Sequence, residues 1–363
     1  MKTAIKWFSF ILILGLVFGF AQAKPVNAAP GDPVCVVESG ECYLSIQAAI
    51  NAAAAGNHIT VANGTYVETL DITKSLTITG ESQAGVIIDT SSFSDYGIDA
   101  LGDIVTSFSN FTLIGPIPGT FGYGIKVSGE NAQTAIQYVT VRNSGRSGID
   151  LNGLSFGTVD HVIVNNNGGV GLALTDSSNI TVSNITSSGN AWGGWAVYTR
   201  GVSYTGGSTN ITLNGTNSFA EPTKFYIQEE NGFAVTNLHQ TDFGFMVKNG
   251  TDFPGYFLYY ITQAEANAVA TGATHPAASI ITNLADGSLV VIPGMSIQAA
   301  IDAAFPGDTI NVTAGTYVLT TAVTVNKDIT LNGIGNPLIQ VSGTGDKITM
   351  NTAGATLQGF QIE

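Results

Sequence analysis

Residues 148–197, GIDLNGLSFGTVDHVIVNNNGGVGLALTDSSNITVSNITSSGNAWGGWAV, decide the fold. Three times in this stretch a glycine is followed by an apolar, a variable and an apolar residue: Gly148-Ile149-Asp150-Leu151, Gly171-Leu172-Ala173-Leu174 and Gly194-Trp195-Ala196-Val197. The same form stands earlier at Gly97-Ile98-Asp99-Ala100 and Gly124-Ile125-Lys126-Val127, so that the glycines are 27, 24, 23 and 23 residues apart. A second strand-like pair precedes three of them: Val139 and Val141, Val162 and Val164, Ile185 and Ser187. Alternation of this kind marks strands. Several short strands per unit at a nearly fixed period imply a solenoid, because one unit cannot bury its apolar face until neighbours stack on it. Propeller blades need about 40 or more residues per repeat, and leucine-rich repeats need a leucine and asparagine consensus that is absent. Stacked parallel coils remain. Asn143 and Asn166 recur five residues before the repeat glycine, where a left-handed turn suits asparagine and stacked amides can bond along the axis.

On either side of this centre the chain writes one beginning twice. Residues 45–67, SIQAAINAAAAGNHITVANGTYV, return at 296–318 as SIQAAIDAAFPGDTINVTAGTYV, with 15 of 23 positions identical. In each copy a serine, Ser45 or Ser296, is placed to cap a short amphipathic helix carrying Ile46, Ala49 and Ile50 or their counterparts. Strands follow at Ile59 and Val61 and at Leu76 and Ile78, and the helix serves as a lid on an open sheet end. Between about 200 and 290 the repeat loosens into aromatic strand pairs. Thr262-Gln263-Ala264-Glu265 then forms a capping box that opens an alanine-rich helix. The predicted division is a first β-helix with its capping segments over 24–290 and the start of a second over 291–363. The second copy stops after a strand-like segment at 357–362, which suggests a truncated gene or a longer parent protein.

Charge excludes one partner class, and the N-terminal segment predicts the compartment. The 363 residues carry 26 acidic against 12 basic side chains, a net charge of −14, so nucleic acid is repelled. Lys2 and Lys6 precede an apolar run from Trp7 to Phe20 and the small-residue site Ala21-Gln22-Ala23, which predicts a signal peptide over residues 1–23. The run is shorter than the ~20 residues of a membrane span, so the mature chain from Lys24 is expected to be secreted, extracellular or at the cell surface, with no membrane span. Cys35 and Cys42 are the only cysteines, and export favours a disulfide between them. Zinc thiolates are the competing reading, but no second cysteine pair exists and the nearest histidine is His58.

With its SIQAAI, GTYV and KSLTITG segments and the recurrent Gly-apolar-x-apolar units, the chain resembles the secreted right-handed parallel β-helix proteins of the pectate-lyase-like superfamily, over about 40–250 and again 296–363. The resemblance implies an all-β solenoid with a short N-terminal capping helix, followed by the start of a second. It does not choose an activity, because the superfamily includes lyases, glycosidases, epimerases and adhesins. It also implies that a site would lie on an outward sheet face. Val159-Asp160-His161 partly matches the W-I-D-H element of pectate lyases, but the tryptophan is missing. The arginine-rich element of those enzymes cannot be built from Arg142, Arg146 and Arg200, the chain's three arginines. The motifs of polygalacturonases are not found.

On the outward face, the variable residues of successive units form a ladder of Asp99, Lys126, Asp150, Ala173 and Ala196, spaced ~4.8 Å per coil. Asp99 and Asp150 stand ~9.6 Å apart by that spacing, near the upper end of carboxyl separations in inverting glycosidases. Lys126 between them is a candidate base. The alternative is a solvated ladder of opposite charges with no catalytic role. Tyr96, Tyr123, Arg146 and Trp192 are the candidate substrate-binding residues, and Trp192 is expected to lie nearer solvent than Trp195. His161 is expected to be a turn or strand residue. His58, His239 and His275 show no ligand spacing. Calcium is compatible with so acidic a β-helix, but no Asp-x-Asp-x-Asp-Gly run or nonapeptide repeat is present, and no cofactor is assigned. Two functions follow: a non-catalytic surface or matrix protein binding extracellular polysaccharide or cell-surface glycan, or acting as an adhesin, and a polysaccharide lyase, hydrolase or epimerase acting at Asp99, Lys126 and Asp150.

Overall fold

The computed structural model describes residues 33–117, 122–201, 206–248, 256–342 and 346–363. The signal peptide expected over 1–23 lies outside the described residues. Each coil of the first helix contributes three strands, one to each of three faces. His58–Val61, Leu76–Gly80, Phe156–Asp160 and Ser178–Ser183 belong to the first face, and Ile163–Asn165 and Thr186–Ser188 to the second. The longer strands Val105–Ile114 and Gln133–Arg142 turn the corner between these two faces. The third face stacks Leu70–Ile72, Ile98–Leu101, Ile125–Ser128, Ile149–Asn152, Val170–Thr175, Gly193–Thr199 and Phe225–Glu229, all parallel.

The repeat glycines do form one column. Gly97 N donates to Tyr123 O, Gly124 N to Ser147 O, Gly148 N to Val170 O and Gly194 N to Thr223 O. Ile98, Ile125, Ile149 and Leu172 meet in register and are fully buried, as are Val139, Val141, Val162 and Val164 on the second face. This interior column of β-branched and leucine side chains holds the coil together.

The corners explain the polar residues that interrupt it. Asn110, Tyr138, His161 and Asn184 have φ of 59°, 53°, 50° and 52°, and they turn the first face into the second. Asn143 and Asn166, at 61° and 54°, do the same one corner later, as expected for asparagine in a left-handed turn. The amide ladder predicted at these two asparagines lies one residue downstream. Asn167 Nδ2 donates to Asn190 Oδ1 at 2.8 Å, Ser144 N to Asn167 Oδ1 at 3.0 Å, and Asn190 Nδ2 to Glu221 Oε1 at 2.6 Å. The left-handed residue turns its own side chain outward, and the residue after it points into the coil.

Helix α1 (Ile46–Ala52) buries Ile46, Ala49 and Ile50 and is capped by Ser45 Oγ, which accepts from Ala48 N at 3.1 Å. Cys35 and Cys42 are disulfide-bonded across the hairpin of Val34–Val36 and Cys42–Tyr43, whose first strand runs antiparallel to His58–Val61. Closing so short a loop contributes on the order of 2–3 kcal/mol in a chain-entropy model. Helix α2 (Gln263–Gly272) opens with the expected capping box, and α3 (Ile297–Ala303) repeats α1.

The second copy stacks three strand types of its own. Thr309–Val312 pairs with Thr330–Gly333, Thr316–Leu319 with Leu338–Val341, and Val323–Val325 with Ile348–Met350, all parallel. It joins the first copy through a single sheet. Phe225–Glu229 pairs antiparallel with Tyr256–Tyr260, which is followed across the sheet by Phe245–Lys248, Ile280–Asn283 and Leu289–Val291. Leu289–Val291 then pairs in parallel with Thr309–Val312. The result is one 14-stranded sheet reaching from Leu70 into the second copy. The strand that begins the first face in one copy thus extends the third face in the other.

Candidate functional site

The charged residues of the ladder and Tyr96, Tyr123, Arg146 and Trp192 are brought into one patch. Lys126 lies in register between Asp99 and Asp150, and its Nζ is 3.3 Å from Asp150 Oδ2. Asn152 Nδ2 donates to the other oxygen of Asp150. Beside the ladder, Tyr96 and Tyr123 have ring centroids 5.9 Å apart. Lys126 Nζ sits 4.7 Å from the Tyr123 ring, and the Arg146 guanidinium lies 4.9 Å from that ring and 5.7 Å from Trp192. Trp192 is 50% exposed while Trp195 is fully buried, as expected.

The backbone explains how residues two coils apart meet. Arg146 N donates to Gly122 O, Gly169 N to Arg146 O and Trp192 N to Gly169 O, so these positions form one vertical column at the corner. Gly169 separates Arg146 from Trp192. A Cβ there would fall 2.7 Å from Ser147 N and 3.0 Å from the Arg146 carbonyl carbon, so only glycine fits. With no side chain between them, guanidinium and indole are free to face each other.

One part of the expected ladder differs. Ala173 and Ala196 occupy the predicted register, but they are 3% and 0% exposed instead of facing water. They belong, with Tyr198, Tyr226, Leu258 and Val247, to an apolar cluster that includes Ala266 and Ala270 of α2. Alanine at two successive outward positions leaves room for this cover. Asp150, 6% exposed, therefore stands where the open floor meets a covered wall.

Residues outside the glycine-led units complete the patch. Asp71 pairs with Asp99 one coil earlier, between buried Leu70 and Ile72, but no glycine precedes that unit. Arg200 lies over the Tyr198 ring at 4.6 Å, and the two hydroxyls of Tyr198 and Tyr226 are hydrogen-bonded. Burial pushes the Tyr198 hydroxyl up to about 12, and burial also raises Tyr123, with Asp150 adding to the shift and Arg146 and Arg200 opposing it.

Burial, then repulsion from Asp71, raises the Asp99 carboxyl to about 6, with Lys126 pulling the other way. An unfolded aspartate ionises near 3.8, so the folded chain holds the extra proton between these values. Stability therefore falls as pH rises through the window from about 4 to about 6, and the full penalty is present above it. Asp99→Asn is expected to be about 1–2 kcal/mol more stable than the parent at pH 7.5, after allowance for solvent screening, and equal to it at pH 4. Urea unfolding at the two pH values measures this; a gain of the same size at pH 4 would contradict it.

His161 is a corner residue. Its ring lies tilted against Tyr138 with centroids 4.8 Å apart, and its Nδ1 lies 2.8 Å from Asp160 Oδ2. Burial works against ionisation of Asp160, but hydrogen bonds from Ser183, Asn184, His161 and Gln137 hold it at about 2. Among the described residues no group of three or more His, Cys, Asp or Glu side chains converges as a metal cluster, and no helix is long and apolar enough to cross a membrane.

Residues 40–218 match the family model described as a right handed beta helix region. Over those residues the stacked parallel coils are thus a right-handed β-helix region. No curated protein matches it. Similar solved structures include a pectin methylesterase in complex with a hexasaccharide, with 13% identity over 57% of this chain and 91% of that one and a TM-score of 0.31. An alginate lyase from Paenibacillus sp. str. FPU-7 shows 11% identity over 87% and 96%, with a TM-score of 0.27. The catalytic domain of a GH87 alpha-1,3-glucanase in complex with nigerose shows 12% identity over 94% and 69%, with a TM-score of 0.30.

Proposed function

We propose that this chain is an exported, non-catalytic β-helix protein that binds extracellular polysaccharide at the Tyr96, Tyr123, Arg146 and Trp192 corner. The observation that carries the reading is the continuous ledge in which Arg146 bridges Tyr123 to Trp192 across Gly169. Flat rings at the edge of a solenoid offer apolar faces to sugar C–H groups, while the neighbouring Asp99, Lys126 and Asp150 supply hydrogen-bonding groups for hydroxyls. A net charge of −14 disfavours polyanions, and the Lys126 charge is taken up by Asp150, so a neutral glycan suits the face.

A polysaccharide lyase or hydrolase is the second reading. It has one observation in its favour, the Asp99 carboxyl raised to about 6, within the range useful to a general acid. Against it, Lys126 is engaged by Asp150 instead of standing as an unpaired base.

Affinity electrophoresis through gels containing laminarin, xyloglucan or galactomannan tests the first reading. The parent is expected to be retarded by at least one of them, and Trp192→Ala or Tyr123→Ala to weaken retention about tenfold or more with unchanged circular dichroism. Unchanged retention in both variants would remove the ledge from the site. Release of reducing ends by the parent, lost in Asp99→Asn, would transfer the assignment to the enzyme.

A further inference from the structure

The outer surface of the long sheet is open at its ends and closed in its middle. Its outward column starts at Asp71, passes Asp99, Lys126 and Asp150, and continues through Ala173, Ala196 and Tyr226 to Leu258, Val247, Ile281 and Val290. The seven positions from Ala173 to Val290 are all buried, and they share one cluster with the α2 alanines. The column becomes polar again at Asn311, Asn332 and Gln358, whose amides are hydrogen-bonded in series.

The wall at the Asp150 end is built, not incidental. The Asp176 carboxylate accepts from Arg200 N at 2.8 Å, Gly201 N at 2.9 Å and Gly207 N at 3.3 Å, which fixes the backbone that carries Arg200. Tyr198 and Tyr226 stand beneath it with their hydroxyls joined. Burial raises the pKa of both Tyr198 and Tyr123, and the Arg200 charge opposes the rise at each. Among the described residues, a chain lying along the ladder therefore meets the partly exposed Lys126 and Asp99 and the exposed Asp71 in one direction, and the covered wall in the other.

We propose that the site receives the terminus of a glycan chain, with the last sugar against the Arg200 and Tyr198 wall and the remainder leaving over Asp99 and Asp71. This rests on the glycan-binding reading above and specifies it. A face open at both ends would grip any interior stretch of polymer; a face closed at one end counts termini.

The test uses the intact exported protein and whichever of laminarin, xyloglucan or galactomannan retards it. That polysaccharide is partly hydrolysed with acid until it carries about ten times as many ends per gram, and both forms compete for the protein at equal mass. Terminus recognition predicts that half-competition needs about tenfold less mass of the hydrolysed form, and that Arg200→Ala loses most of this advantage. Equal or poorer competition by the hydrolysed form would overturn terminus recognition while leaving glycan binding intact. An unchanged advantage in Arg200→Ala would overturn the assigned wall. If none of the three polysaccharides retards the parent, glycan binding fails and this proposal fails with it.

Discussion

Asn190→Ala is expected to destabilise the protein by about 3–5 kcal/mol, although Asn190 contributes nothing to the apolar core. Its side chain donates to Val164 O at 2.9 Å, Ser187 Oγ at 2.9 Å and Glu221 Oε1 at 2.6 Å, and accepts from Asn167 N and Asn167 Nδ2. Alanine would strand these partners in a dry interior, with a buried carboxyl at the end of the row. The ladder also sets the corner of the site, since Asn167 and Asn190 each lie two residues before the corner positions Gly169 and Trp192, as Ser144 does before Arg146. Urea unfolding followed by circular dichroism reads the loss of stability. Trp192 fluorescence should also shift in the folded variant. A loss below about 1 kcal/mol would mean that water replaces the amide without penalty.

Trp195→Ala should cost about 4 kcal/mol, within the range for deleting a fully buried large aromatic. Trp195 stacks on Phe225 with centroids 4.2 Å apart, and Phe225 stacks in turn on Tyr259 at 4.5 Å. This pile of rings lies where parallel coils give way to antiparallel strands, so the cavity would open beneath the bridge to the second copy. Trp195→Phe separates the contributions. It keeps a ring in the stack and removes an indole N–H that has no hydrogen-bond partner among the described residues, so its cost should stay below about 1.5 kcal/mol. If the two variants unfold at the same urea concentration, stacking is not what holds this segment.

The coil was legible because its period is carried by glycines whose neighbours pack tightly and by apolar pairs that alternate. The same rule placed Asp99, Lys126 and Asp150 side by side, since register in stacked coils follows directly from spacing. Asp71 escaped because its unit begins with Thr69 in place of glycine. The amide ladder was misplaced by one residue, because a left-handed φ at Asn166 sends its side chain outward and Asn167 inward, a reversal that the run Asn165-Asn166-Asn167 does not display. The cover over Ala173 and Ala196 was also hidden. It belongs to a buried cluster shared with Tyr198, Tyr226 and Leu258, and two alanines in a strand do not announce what they accommodate.

The continuous sheet through Leu289–Val291 bears on how this molecule could be divided. Scissors applied at the start of the repeated motif would not release two tidy pieces, because the strand just before it is stitched to both sides. Each fragment would carry a raw selvedge of unsatisfied amides and carbonyls, ready to zip onto a stranger. The duplication is therefore visible in the text of the gene but not as a seam in the folded object.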